Sequence, residues 1–229
     1  MLHALIPAFF ALFFSLTVTA THAAGLDALS TPEATSALRE TLVKGADFAI
    51  ASLGKTNGFL GNPQVKIPLP DSLKTAEKAL RTFGMGKQAD QLVDTMNHAA
   101  EKAVVEARPI LLNAVKSMSI SDAKTILGGG ENSVTQYFKT HTSEALTVKF
   151  LPIVQKATQQ LKLAEQYNHF AGKAASMGLI DAKDANLDHY VTQKAMDGLF
   201  LMIAEQEKSF RSNPLSAGTA LLKKVFGAL

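Results

Sequence analysis

The stretch Leu187-Asp188-His189-Tyr190-Val191-Thr192-Gln193-Lys194-Ala195-Met196-Asp197-Gly198-Leu199-Phe200-Leu201-Met202-Ile203 decides the fold. Its apolar residues Tyr190, Val191, Ala195, Leu199, Phe200, Met202 and Ile203 recur at spacings of three and four, the period of an α-helix. Together they cover an arc wide enough for a helix near the centre of a domain. The pattern predicts a helix from Leu187 to about Arg211, broken by Ser212-Asn213-Pro214.

Helical signals continue on both sides. A last helix is expected from Pro214 to Phe226, while the region from Gly172 to Asn186 reads as mixed. Upstream, Leu146, Phe150, Ile153, Val154, Ala157 and Leu161 predict a long helix after Thr142-Ser143, bent near Pro152. A separate short helix, capped by Asn132 or Ser133, should carry Tyr137 and Phe138. Ser119-Ile120-Ser121-Asp122 reads as a capping box for a helix that Gly128-Gly129-Gly130 terminates. Leu92, Met96, Ala99, Ala103 and Val104 mark a helix from near Lys87, which Pro109 either kinks or restarts. Leu73, Ala76, Leu80 and Phe83 mark one from Asp71. The first helix opens at Ser30-Thr31-Pro32-Glu33, runs through Leu38, Leu42, Ala46, Ala49 and Leu53, and stops at Gly54. Between Gly54 and Pro70, three glycines and three prolines exclude a helix, and Gln64-Val65-Lys66-Ile67 alternates like a short extended piece or hairpin arm. The expected class is all-α: a single multi-helix bundle of about eight or nine helices with one long irregular loop.

The N-terminus bounds where such a bundle would work. From Leu2 to Ala20 the chain has no Asp, Glu, Lys or Arg, and Leu5, Ile6, Phe9, Phe10, Leu12, Phe13, Phe14, Leu16 and Val18 form a dense apolar run. Thr21-His22-Ala23-Ala24 then supplies the small residues a signal peptidase reads. Residues 1–23 are therefore expected to be a cleaved signal peptide and residues 24–229 one helical domain, periplasmic or secreted. The alternative reading of the same run is an uncleaved inner-membrane anchor, because it approaches the length that spans a bilayer and lacks a basic start. There is no Cys, so neither a lipid anchor on a processed cysteine nor a disulfide scaffold is available. The remaining chain of about two hundred residues is long enough to bury a core without them. A net charge of +3 is too small to imply a nucleic-acid partner.

Several strings occur together and in order: Gly58-Phe59-Leu60-Gly61-Asn62-Pro63, Val65-Lys66-Ile67-Pro68-Leu69-Pro70, Ala107-Arg108-Pro109-Ile110-Leu111-Leu112, Ser119-Ile120-Ser121-Asp122-Ala123, Thr135-Gln136-Tyr137-Phe138, Leu187 to Phe200, and Leu221-Leu222-Lys223-Lys224-Val225-Phe226-Gly227. This set resembles the bacterial domain-of-unknown-function family 4197 over essentially the whole mature chain. The resemblance implies an exported helical bacterial protein and brings with it no activity, substrate or catalytic residue.

Motifs that suggest chemistry have simpler structural readings. Ala49 to Thr56 fits a relaxed phosphate-loop pattern, but Gly54-Lys55-Thr56 falls where a helix ends, so the helix presents its negative carbonyl end there rather than the amide end a phosphate needs. Glu165 and His169 stand four apart and Asp188 adjoins His189, which with Asp184 makes a metal site conceivable; no two His fall at close helical spacing, and no metal or other cofactor is expected. No Gly-x-Ser-x-Gly elbow occurs. Gly128 to Asn132 offers amides to an anion at the next helix start, or serves as a plain link.

Two segments stand out as partner or ligand surfaces. Phe59, Leu60, Val65, Ile67 and Leu69 are too many apolar groups for a solvated loop, so they either pack as a lid or engage something. In the last helix, Phe226 and neighbouring apolar residues beside Lys223 and Lys224 suit either burial or peripheral contact with an anionic membrane. The expected function is a non-catalytic binding or interaction protein of the bacterial cell envelope, whose partner would be an envelope protein or an apolar ligand. Behind it stand a carrier of a lipid or other apolar ligand and, last, an envelope-polymer enzyme using Glu131, Glu165, Asp184 or Asp188.

Overall fold

A computed structural model describes residues 31–82, 84, 86–178 and 185–213. Among these, eight α-helices form: α1 (Thr31–Leu53), α2 (Asp71–Thr82), α3 (Gly86–Val105), α4 (Ala107–Ser117), α5 (Ile120–Gly128), α6 (Ser133–Thr158), α7 (Lys162–Ser176) and α8 (Leu187–Ser212). The all-α class holds, and no strand occurs among the described residues, so Gln64 to Ile67 does not form a hairpin arm. The expected leader and the expected helix from Pro214 lie outside the described residues.

Helices α1, α3, α6 and α8 make the centre, with α6 packed most extensively on α8 and on α3. α4 and α5 close one side against α1 and α6, while α2 and α7 flank α3. The small side chains of Ala99, Ala100 and Ala103 are all buried in α3 and let its neighbours approach closely, since interaxial distance follows side-chain size at the contact. Leu38, Leu42, Phe138, Leu146, Phe150, Val191 and Leu199 fill the middle of one continuous core.

Local chemistry sets the boundaries. Ser119 caps α5 as expected: the Asp122 amide donates to Ser119 Oγ at 3.1 Å, and the Ser119 amide donates to Asp122 Oδ2 at 2.8 Å. Asn186 caps α8 by accepting from the amides of Asp188 and His189. Pro109 restarts rather than kinks: α3 stops at Val105, and the proline sits in the first turn of α4, where no helical amide is needed.

Two expectations need correction. Thr142-Ser143 does not begin a new helix; α6 runs unbroken for 26 residues through it. Both hydroxyls donate back to carbonyls four residues earlier, Thr142 to Phe138 at 2.6 Å and Ser143 to Lys139 at 2.7 Å, so they are satisfied within the helix instead of capping one. Likewise α7 continues through Gly172 to Ser176, and the mixed region is shorter than the glycine suggests.

Candidate functional site

The irregular segment between α1 and α2 is held by a single turn of α3. After α1 ends, with the Gly54 amide on the Ile50 carbonyl at 2.7 Å, most of residues 55–65 form turns and residues 66–70 have no regular secondary structure. Gly58 is required there, because a Cβ would drive into the Leu53 carbonyl. The side chain of Glu101 is buried and its Oε1 accepts from the amides of Phe59 (3.1 Å) and Leu60 (3.2 Å). One turn earlier, fully buried Asn97 accepts from the Ile67 amide at 2.8 Å and donates to the Ile67 carbonyl at 2.9 Å. Asn97 thus pairs with Ile67 as a neighbouring strand would. Tyr190 of α8 adds a bond from its hydroxyl to the Pro68 carbonyl at 3.1 Å.

This packing answers where the apolar loop residues go. Phe59, Val65, Ile67 and Leu69 are buried in the main core, Phe59 completely, and Leu60 is half-buried. Phe59 lies against Gly198 of α8, whose missing side chain makes room for the ring. As an exposed partner surface these four are not available, because the loop's backbone needs are met internally and its side chains fill the core. Lys223, Lys224 and Phe226 lie outside the described residues, as does Asp184.

Among the described residues, the carboxylates and imidazoles considered for catalysis or metal do not assemble into one site. Asp188 is buried at the α6–α8 junction and accepts from the Thr158 hydroxyl, whereas Glu165, His169 and His189 are exposed and Glu131 sits in the turn before α6. Among the described residues no three His, Cys, Asp or Glu side chains are grouped to hold a metal ion. The anion position at the start of α6 is filled from within: buried Glu207 accepts from the amides of Val134 and Thr135 and from Arg211, which is itself only 15% exposed. The amides that the glycine link leaves at this helix end therefore already hold a carboxylate.

The surface feature with functional shape lies on the other face of the same turn of α3. A groove of about 810 Å³ runs between α3 and α6. Gln91, Thr95, His98 and Lys102 of α3 form one wall, a polar stripe at spacings of three and four that Glu106 continues just past the helix end. On the opposite side Pro152, Ile153 and Ala157 of α6 and Leu161 just beyond it are apolar, with Lys156 and Gln160 among them. A smaller hollow of about 490 Å³, bounded by Gly54, Thr56 and Glu101, adjoins it and shares His98, Lys102 and Glu106. Nδ1 of His98 lies 2.8 Å from Glu101 Oε2, so one carboxylate both holds the loop and orients a ring at the groove. Glu106 is paired with Lys149 of α6 at 3.2 Å, which spans the groove's end.

Sequence reasoning missed Asn97, His98 and Glu101. The signal was present, since Asn97 and Glu101 stand four apart beside the inward stripe of an alanine-rich helix, and buried polar groups in such a place must have partners.

The family described as Protein of unknown function (DUF4197) matches residues 28–227. The chain belongs to this family. The match takes in every described element of this DUF4197 protein, including the loop, the turn of α3 that holds it and both walls of the groove. Comparison of the DUF4197 chain with curated proteins and with solved structures finds no match.

Proposed function

We propose that this protein is a non-catalytic binding protein of the bacterial cell envelope and that the α3–α6 groove is where its ligand or partner sits. The observation that carries the reading is the groove itself, a concave surface between two central helices with one polar and one largely apolar wall. Its size falls in the range of about 300–1,000 Å³ that ligand sites occupy. The groups behind the polar wall are fixed, because Asn97 and Glu101 are bonded to the loop, and a preorganised wall loses little freedom when something binds. The charge-free apolar leader with its small residues at Thr21 to Ala24 supports the envelope. Glu101 supports binding over catalysis, since two backbone amides and a histidine already engage its two oxygens.

A photo-crosslinking amino acid placed at Gln91 or Thr95, with Ile120 on α5 as an exposed control position, tests this in cells. The groove positions should each give a discrete adduct and Ile120 none. No adduct from the groove, or the same adducts from all three, would reject it. The apolar wall of Ile153, Ala157 and Leu161 also favours the second reading, a carrier of an apolar ligand.

A further inference from the structure

We infer that the α3–α6 groove takes an anionic phospholipid with one acyl chain, its phosphate between Lys102 and Lys156 and its chain along Ile153, Ala157 and Leu161. The inference rests on the groove being the binding site and names the chemistry of its occupant.

Charge is the first ground. Among the described residues, Lys102 on one wall and Lys156 on the other have no ion-pair partner, while the groove's carboxylate, Glu106, is neutralised by Lys149. The unbalanced charge is therefore positive and comes from both sides, which suits an anion placed between the walls. Glu101, buried behind the wall and bonded to two amides and His98, pairs with neither lysine. His98 plays a smaller part. Its Nδ1 is engaged by Glu101, and the two lysines are the groups that bring charge to the groove from both walls.

The second ground is the arrangement of apolar groups. Ile153 and Ala157 stand four apart on α6, and Leu161, in the joint before α7, lines the same side of the groove, so apolar groups lie beside the cation at Lys156. A free phosphate, phosphorylated sugar or polyanion would leave those groups in water, and a neutral lipid would leave the lysines unanswered. An anionic head with an attached chain satisfies both. The open shape lets such a molecule enter from the side.

The test is titration of the purified full chain, followed by native mass spectrometry and calorimetry, with palmitoyl lysophosphatidic acid below its micelle concentration. Monopalmitoylglycerol and inorganic phosphate are the comparison probes. One equivalent of the lysophospholipid should bind at least tenfold more tightly than the neutral lipid, and inorganic phosphate should compete weakly. The double variant Lys102→Ser, Lys156→Ser should bind at least tenfold more weakly with an unchanged helical circular dichroism spectrum, because both side chains are exposed. Ala157→Trp, which occupies the apolar side, should weaken the lysophospholipid and leave any phosphate binding intact. No lysophospholipid binding, equal binding of the two lipids, full competition by phosphate, or unaltered binding by the lysine variant would each overturn the inference. If in-cell crosslinks from Gln91 persist while lysophospholipid does not bind, the groove remains the binding site and the lipid is rejected. If neither occurs, both readings fall.

Discussion

Glu101 shows how much one buried side chain can organise. Its carboxylate stands in for the backbone partners that Phe59 and Leu60 lack in an irregular segment, and its side chain is buried as it does so. Glu101→Ala would leave both amides without an acceptor and should destabilise the fold by about 3 kcal/mol in urea unfolding, whereas Glu101→Gln, which keeps an acceptor oxygen, should cost about half of that. Glycine gives a second contrast. A Cβ on Gly198 would lie 2.6 Å from the buried Phe59 ring and 3.3 Å from Val65 Cβ, whereas one on Gly172 meets nothing within 4 Å. Overpacking of about 1–3 kcal/mol outweighs a helix-propensity gain of about 1 kcal/mol, so Gly198→Ala should lower the melting temperature and Gly172→Ala raise it. None of this is legible from residue type. The sequence shows apolar residues in the loop and a glycine in the strongest helix, but only their meeting in space shows that one makes room for the other.

At the scale of elements, local signals were readable where side chain and backbone lie within one turn. The capping box of α5 is such a case. The Ser119 hydroxyl, then its amide, hold the Asp122 carboxyl below its ordinary value of 3.8. A depressed folded-state value means that the contribution is complete above about pH 3.8 and is lost as pH falls through the lower, folded value. Hydrogen exchange of the first α5 amides should accelerate across that acid window in the parent, and Asp122→Asn should remove this dependence. A parent whose α5 exchange did not change there would contradict it. Elsewhere local signals misled. Thr142-Ser143 carries the composition of a cap, yet its hydroxyls found carbonyls on the preceding turn because α6 was already buried against α8 on both sides of that point. Tertiary packing decided the boundary, and packing is not written locally. The polar face of α3 is not legible for the related reason that His98 and Lys102 look like any solvated stripe until α6 is placed beside them.

In the whole molecule, the segment that reads as a loop behaves as core. Lys55 and Lys66 are exposed side chains on backbone that is bonded within the turns, and residue 67 is bonded to α3. Trypsin should therefore cut after these two lysines only at the rate set by global unfolding, tracking stability as urea is raised. In Glu101→Ala they should become early sites, cut by local opening. Rapid cleavage there in the parent would show that the loop opens independently. Spacing carries one more consequence. Asn97 and Glu101 lie one helical turn apart, roughly 6 Å along the axis, and the backbone they grip, at Ile67 and at Phe59 and Leu60, must arrive at that interval. Surface connections ordinarily absorb inserted and deleted residues, but here chain length is gauged against a rigid helix, so a single residue added between Leu60 and Ile67 has nowhere to bulge without releasing one grip. Room for length to drift lies in exposed joints such as Gln159-Gln160, making the glycine- and proline-rich stretch far less elastic than such a joint.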